Sequence, residues 1–193
     1  MTCLASLTPG PNAPMFDACK NSTQPDASAV GAYESWTASD FPPSKLVLGL
    51  PTYGYISRSF ANGLRTRRLE PSANVTKVIN SDGDSEGQIS FRELVQQGVL
   101  AANADPLTGK VNFVGSGGFE REWDGCSCTP FLRSASAGQV VSYDDPRSLR
   151  MKAEFAQRSG MLGVNLFDIP GDTDGWDLTA AVADVFLSDR TVL

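Results

Sequence analysis

Two short apolar runs break the otherwise mixed pattern of this chain, LVLGLPTYG at Leu46 to Gly54 and GVNLFDIPGD at Gly163 to Asp172. A strand with one wet face alternates apolar and polar residues. These runs are too apolar for that, and predict fully buried parallel strands whose C-terminal ends open into functional loops. Ahead of the first run, Ala29, Ala32, Tyr33 and Trp36 share one face of a helix from Ser28 to about Ser39, and Pro42-Pro43 separates helix from strand. Ahead of the second, Asp145-Pro146 supplies an N-cap followed by proline at the first helical position. Leu149, Ala153 and Ala156 continue that helix to about Arg158, and Gly160 closes it. After the second run, Asp177 is predicted to cap a last helix in which Leu178, Ala181, Val182, Val185 and Phe186 fall at i, i+3, i+4, i+7 and i+8.

Between Ile56 and about Gln139 the pattern changes to short β-branched pieces, glycine-rich turns and one helix near Phe91 to Gln97. About 80 residues is far too long for a plain loop between strand and helix, so this stretch reads as an inserted α+β lobe. The chain therefore divides into residues 1–55, the lobe at 56–140, and residues 141–193. Residues 1–26, rich in Pro, Asn, Ser and Thr, read as loop. The helix and strand order of the flanking parts is α/β, the order of a (β/α)8 barrel, whose working residues sit at the C-terminal ends of its strands.

Composition narrows the chemistry. A complete barrel of this kind needs about 250 residues, and the chain has 193. It holds no histidine, which removes Ser/His and Cys/His nucleophilic catalysis and imidazole ligands for zinc. Carboxylates remain as acid/base candidates. A formal net charge of −6 leaves no basic footprint for nucleic acid or anionic lipid, and suits a neutral ligand. No run reaches the roughly 18 apolar residues of a membrane span, and no secretory leader is visible at the start, so any export signal would lie upstream. Cys3, Cys19, Cys126 and Cys128 allow three complete pairings, among which sequence does not choose. The sequons at Asn21 and Asn74 fit glycosylation of an exported, extracellular protein.

The first strand, as SKLVLGLPTYG at Ser44 to Gly54, and the second are similar to the last two barrel strands of glycoside hydrolase family 18, the chitinases and chitinase-like lectins. GQISFRELVQQGVL at Gly87 to Leu100 and VSYDDPRSLRMKAEFA at Val141 to Ala156 resemble the same family, and GPNAP at Gly10 to Pro14 resembles the loop after the sixth strand in its fungal-type members. The resemblance implies the C-terminal part of a TIM barrel. Residues 1–55 would hold the loop after strand six, helix six and strand seven. Residues 141–193 would hold helix seven, strand eight and helix eight, with the α+β lobe inserted between them. The implied activity is hydrolysis of β-1,4-linked N-acetylglucosamine polymers, with chitin or its oligosaccharides as partner and no cofactor. In that family a glutamate protonates the glycosidic oxygen while the sugar's own 2-acetamido group attacks the anomeric carbon. The signature that carries this acid, DxxDxDxE, matches nothing in the 193 residues, nor does the Met-x-Tyr-Asp element of the sixth strand. This chain alone is expected to be inactive, and a non-catalytic oligosaccharide binder is the alternative.

The resemblance also nominates binding residues. Tyr53 matches the aromatic beside the sugar at the cleavage site. Phe167 stands where the family usually has a tryptophan under that sugar, and still offers a stacking face without the indole N–H. Tyr55 stands where many members have arginine. Trp123 lies in the lobe, whose aromatics line substrate grooves in the family. Core packing is the competing reading for each ring. Because the loop after strand six and the lobe both lie at the barrel mouth in the family, the resemblance implies a disulfide between Cys19 and Cys126. A separate motif, DGDSEGQISFRE at Asp82 to Glu93, fits the calcium loop of an EF-hand at several positions. Its flank argues against that, because NVTKVI is β-branched where an entering helix is needed, and Ser90 with Glu93 fits a capping box instead. A small calcium-binding module is the third reading.

Overall fold

The structure is a computed structural model and describes residues 10–20, 22, 24, 26–58, 76–107 and 109–188. Along the chain these form α1 (Ala29–Ala38), β1 (Val47–Pro51), β2 (Tyr53–Arg58), β3 (Gly87–Ser90), α2 (Phe91–Gln96), β4 (Leu100–Ala104) and β5 (Val111–Gly115). There follow β6 (Glu120–Asp124), β7 (Thr129–Ser134), β8 (Gln139–Ser142), α3 (Pro146–Arg158), β9 (Gly163–Phe167) and α4 (Asp177–Ser188), with short 3-10 turns at Pro43–Lys45 and Ile169–Gly171.

The two apolar runs pair with each other. β1 and β9 run parallel, with Val47 opposite Gly163 and Pro51 opposite Phe167. Parallel neighbours need a crossover, and its last element, α3, packs on both strands and on α4. Leu149, Ala153 and Ala156 of α3 and Leu178, Ala181, Val182 and Val185 of α4 are buried there. The flanking parts thus have α/β organisation, but the strands are not fully buried. Val47 is 49% and Phe167 63% exposed, because the pair forms a two-stranded sheet whose outer edges meet no further strand among the described residues.

Between β1 and α3 the described strands all pair antiparallel, as a lobe. Five strands lie in the order β3-β2-β8-β7-β6, and β4 and β5 form a separate two-stranded ladder. This sheet begins at Tyr53 and ends at Ser142, so it takes in Tyr53, Tyr55, Val141 and Ser142, which the sequence division left in the flanking parts. One apolar core runs through both regions. It joins Leu50, Leu149 and Leu178 to Ile89, Phe91, Leu132 and Tyr143.

Local signals fix most helix starts. Ser28 accepts the Gly31 N–H and caps α1. Asp145 and Ser148 form a reciprocal capping box on α3, with Pro146 at the first position. Ser90 and Glu93 do the same for α2, and this disposes of the calcium-loop reading. Within Asp82 to Glu93, residues 87–90 are a strand paired with β2, while Asn80 folds the preceding turn by accepting the Asp82 and Asp84 N–H groups. No helix enters the motif, since residues 76–80 have no regular structure. α1 forms where its periodicity places it, but it buries no residue among those described, and Trp36 stays exposed against Phe41. One expectation fails. Asp177 lies in the first turn of α4 and is not its cap. That role falls to the buried Asp172, whose carboxylate accepts the backbone N–H groups of Leu178 at 3.0 Å and Thr179 at 2.8 Å.

Between the lobe and α3 lies a buried polar seam. Asp144 accepts from Lys152 Nζ at 2.5 Å and Ser148 Oγ at 2.7 Å, with both charged side chains almost wholly enclosed. Arg121 donates twice to Asp145, from Nε at 2.9 Å and Nη2 at 2.6 Å. Removing Lys152 strands a buried carboxylate, so Lys152→Ala should lower the unfolding free energy by about 3–5 kcal/mol. Arg158→Ala, at the exposed Arg158–Glu154 pair, should cost less than about 1 kcal/mol. Urea unfolding of the two variants checks the contrast.

Burial, helped by the Asp145 carboxylate, pushes the Tyr143 phenol far above its ordinary range. The folded chain then keeps a proton that the unfolded chain releases above a pH of about 10, so stability is intact below that value and falls as pH rises past it. The slope approaches about 1.4 kcal/mol per pH unit. Tyr143→Phe should flatten the fall of the urea midpoint between a pH of about 9 and about 11.

Candidate functional site

The C-terminal ends of β1 and β9 are held together by Thr52, the one residue between β1 and β2. Its N–H donates to the Phe167 carbonyl at 3.0 Å, its hydroxyl donates to the Asp168 carbonyl at 2.5 Å, and its own carbonyl accepts the Phe91 N–H at 2.8 Å. The side chain is buried. Gly171 fits against it, and a Cβ there would sit 2.3 Å from Thr52 Oγ1 and 2.9 Å from the Thr52 carbonyl oxygen. Thr52 therefore joins the parallel pair, the lobe and the start of α2 at one point. Sequence reading missed it, since a threonine after a proline carries no local signal of a partner more than a hundred positions away.

On this joint stands a row of three aromatic rings. Tyr53 is half-buried in the middle. Phe167 lies on one side of it, with centroids 6.4 Å apart and planes at 83°. Tyr55 lies on the other, at 6.0 Å and 84°. Edge-to-face contacts of this kind stabilise the rings against one another and leave the outer faces open. Phe167 is not a core side chain, and Tyr55 is 43% exposed. Gly54 separates the two tyrosines because β8 passes too close for a side chain, with the Ser142 carbonyl oxygen 2.2 Å from where a Cβ would lie. The Tyr53 carbonyl accepts the Asn12 side-chain amide at 2.7 Å, and Tyr55 Oη lies 3.5 Å from Gln88 Oε1.

Trp123 is not part of this surface. The register sets Tyr55, Ser142, Phe131 and Glu122 in one row across the sheet, so Trp123, the next residue, points to the opposite face with Leu132, Val141 and Ile56. There the Arg147 guanidinium lies 4.2 Å from its ring centroid and that of Arg121 5.6 Å. These cations occupy the ring.

Cys19 and Cys126 form a disulfide. Beside it, the Met15 and Ala18 N–H groups donate to the Ser127 and Cys126 carbonyls at 2.8 and 3.0 Å. Asp124 braces the same turn by accepting the Cys126 N–H at 3.0 Å. Residues 12–19 thus form a strap from Tyr53 to the turn between β6 and β7. Cys128 is unbonded. Cys3, Asn21 and Asn74 lie outside the described residues. Among the described residues there is no group of three or more His, Cys, Asp or Glu side chains suited to a metal ion, and no helix is long and apolar enough to cross a membrane. The aromatic row can stack on the apolar face of a neutral ligand, with Gln88 beside it for a polar contact.

The profile described as Glycosyl hydrolases family 18 matches residues 3–172. A chitinase-like effector of Moniliophthora roreri is 29% identical over 185 residues, which cover 86% of this chain and 43% of the effector. Chitinase ChiA of Flavobacterium johnsoniae is 28% identical over 181 residues, 86% of this chain and 11% of that protein. The crystal structure of a chitinase from Rhizomucor miehei superposes with a TM-score of 0.64 at 26% identity, over 92% of this chain and 48% of that one. The chain spans less than half the length of each of these relatives.

Thr52→Val keeps the shape of the side chain and deletes its hydroxyl, leaving the Asp168 carbonyl without that donor. A loss of about 1–3 kcal/mol in urea unfolding is expected. Gly171→Ala should cost at least as much, because the added methyl meets backbone as well as side chain.

Proposed function

The chain belongs to glycosyl hydrolase family 18, and on that premise we propose that β1 and β9 are the seventh and eighth strands of a (β/α)8 barrel, with the lobe carried by the loop after the seventh. In this reading α1, α3 and α4 are the sixth, seventh and eighth helices, and the five-stranded lobe sheet forms one wall of a cleft at the barrel mouth. The complete protein hydrolyses β-1,4-linked N-acetylglucosamine polymers with substrate-assisted retention. This chain contributes binding surface. Phe167 is the floor under the sugar at the cleavage site, and Tyr53 stands beside that sugar.

The observation that carries the reading is the joint at Thr52, which puts the open ring of Phe167 and the half-buried ring of Tyr53 side by side at the C-terminal ends of neighbouring parallel strands, the end at which barrels of this architecture bind ligand. The proton donor must come from elsewhere in the complete protein. A general acid works only within hydrogen-bond reach of the leaving oxygen, and the chain has no DxxDxDxE run. The disulfide and the sequons at Asn21 and Asn74 fit an extracellular glycoprotein. A second reading, a non-catalytic binder of chitin oligosaccharides, draws on the same aromatic surface and on the likeness to a chitinase-like effector.

With a fluorogenic chitobioside the chain should give no turnover above blank. Turnover that disappears on substituting one of its own carboxylates would overturn the assignment of the acid to another part of the protein. In chitotetraose binding by the complete protein followed by calorimetry, Phe167→Ala should weaken the interaction by about 1–3 kcal/mol with the fold unchanged. Unchanged affinity would return Phe167 to a purely structural role.

A further inference from the structure

We propose that the open edge of β5 takes up an extended, acidic segment of another protein as an added strand, at a groove separate from the aromatic row. Hydrogen bonds at the two ends of the β4–β5 ladder define that edge. The Ser116 N–H donates to the Val99 carbonyl at 3.0 Å and the Asp105 N–H to the Lys110 carbonyl at 2.9 Å. Bonded and non-bonded positions alternate along an antiparallel pair. With Ala101 opposite Val114 and Asn103 opposite Asn112, it is Asn112 and Val114 that turn their backbone groups to β4. Val111 and Phe113 turn theirs the other way, where β5 has no strand neighbour. An open row of this kind is a template for one more strand.

The row forms one wall of a groove. Two adjoining cavities of about 480 and 420 Å³ follow β5, the first lined by Asn112 to Gly115 and the second by Gly109 to Asn112. Consecutive residues line a cavity with a strand's edge, because its face would contribute only every second one. At Gly115 the groove closes, since the backbone from Phe119 to Arg121 leaves no room there for a Cβ. The helices supply further walls, through Pro146, Arg147 and Arg150 of α3 and Ala180 and Ala181 of α4. A single strand therefore fits, whereas a second copy of this chain pairing through its own β5 would drive its β4 into the helices.

Arg147 sets the chemistry of the segment. It lines both cavities, and its guanidinium lies over the Trp123 ring with no hydrogen bond or ion pair among the described residues. A guanidinium stacked in this way keeps its N–H edge free for a carboxylate. Of the acidic side chains on the walls, Asp145 and Asp184 are paired with Arg121 and Arg150, and Asp177 accepts the Thr173 hydroxyl. Glu120 stands at the closed end, beside Gly115. The groove neighbours the Trp123 side of the lobe sheet, away from the aromatic row, so the two can be occupied together.

Amide hydrogen exchange followed by NMR reads the edge directly. In the 193-residue chain the Asn112 and Val114 amides should exchange slowly and those of Val111 and Phe113 fast. The probes are blocked hexapeptides of valine and threonine, each with a single aspartate at a different position. At least one should slow exchange at Val111 and Phe113, and N-methylating the residues of that peptide that bond to β5 should abolish the effect. Arg147→Gln should weaken its binding about tenfold, the scale of one charge-assisted contact. Asparagine in place of the peptide's aspartate should do the same without any change to the protein, and slow exchange at Asn112 and Val114 shows that the ladder is intact. Slow exchange at Val111 and Phe113 in the free chain, no protection by any of the peptides, or protection indifferent to the aspartate overturns the assignment.

Discussion

The parallel pairing of β1 with β9, locked at Thr52, is the constraint on which the rest of the structure depends. The bond from Thr52 to the Asp168 carbonyl spans 116 positions of sequence, and no local preference can place those residues together. Once the register sets Pro51 opposite Phe167, the first residue of the lobe and the last residue of β9 must be neighbours, and the aromatic row follows from which side chains stand there. A slip of one position would reverse the faces of β9. It would turn Phe167 away and bring Leu166, which packs against the core, to the outside. The hydroxyl and carbonyls around Thr52 all find partners, so the joint holds without leaving polar groups unsatisfied.

A second level of organisation is electrostatic. Tyr143, Asp144 and Asp145 follow the last lobe strand and lead into α3, and each belongs to a different environment. Tyr143 stacks on Phe91 in the core, Asp144 faces Lys152 from the helix, and Asp145 both caps the helix and receives Arg121 from β6. Charges buried in this way contribute little net stability compared with apolar packing, but they penalise every arrangement in which a partner is lost. The seam therefore selects one orientation of α3 against the lobe. Asp144 Oδ2 has no hydrogen-bond partner among the described residues.

Features with local causes were legible in the sequence, and those with distant causes were not. The bounds of β9, the start of α1, the caps of α2 and α3 and the stop at Gly160 were all readable, because Ser28, Ser90 with Glu93, and Asp145-Pro146 act within a turn of themselves. The cap of α4 was misread. Trp176 takes a positive φ of 57° and the loop bends back, so Asp172 reaches amides six and seven residues ahead, and Asp177 only looks like a cap in one dimension. The apolar character of β1 and β9 described what these strands are suited to meet, whereas the exposure of Val47 and Phe167 reports which neighbours are there. Of the site, Tyr53, Tyr55 and Phe167 fall together, while Trp123 was inseparable from them until cross-strand register showed it on the other face. Thr52 and Gly171 left no trace in pattern at all.

The first and last strands of the lobe, β2 and β8, are bonded to each other, with Tyr55 opposite Ser142 and Arg58 opposite Gln139. The chain thus leaves the parallel pair and returns to it at adjacent points. An excursion closed at its base adds little to the loop entropy of its host, whatever its length. The length of the excursion therefore weighs little on the register at Thr52, and what ties its far edge to the rest of the fold is Arg121 of β6, which reaches across to Asp145 at the start of α3.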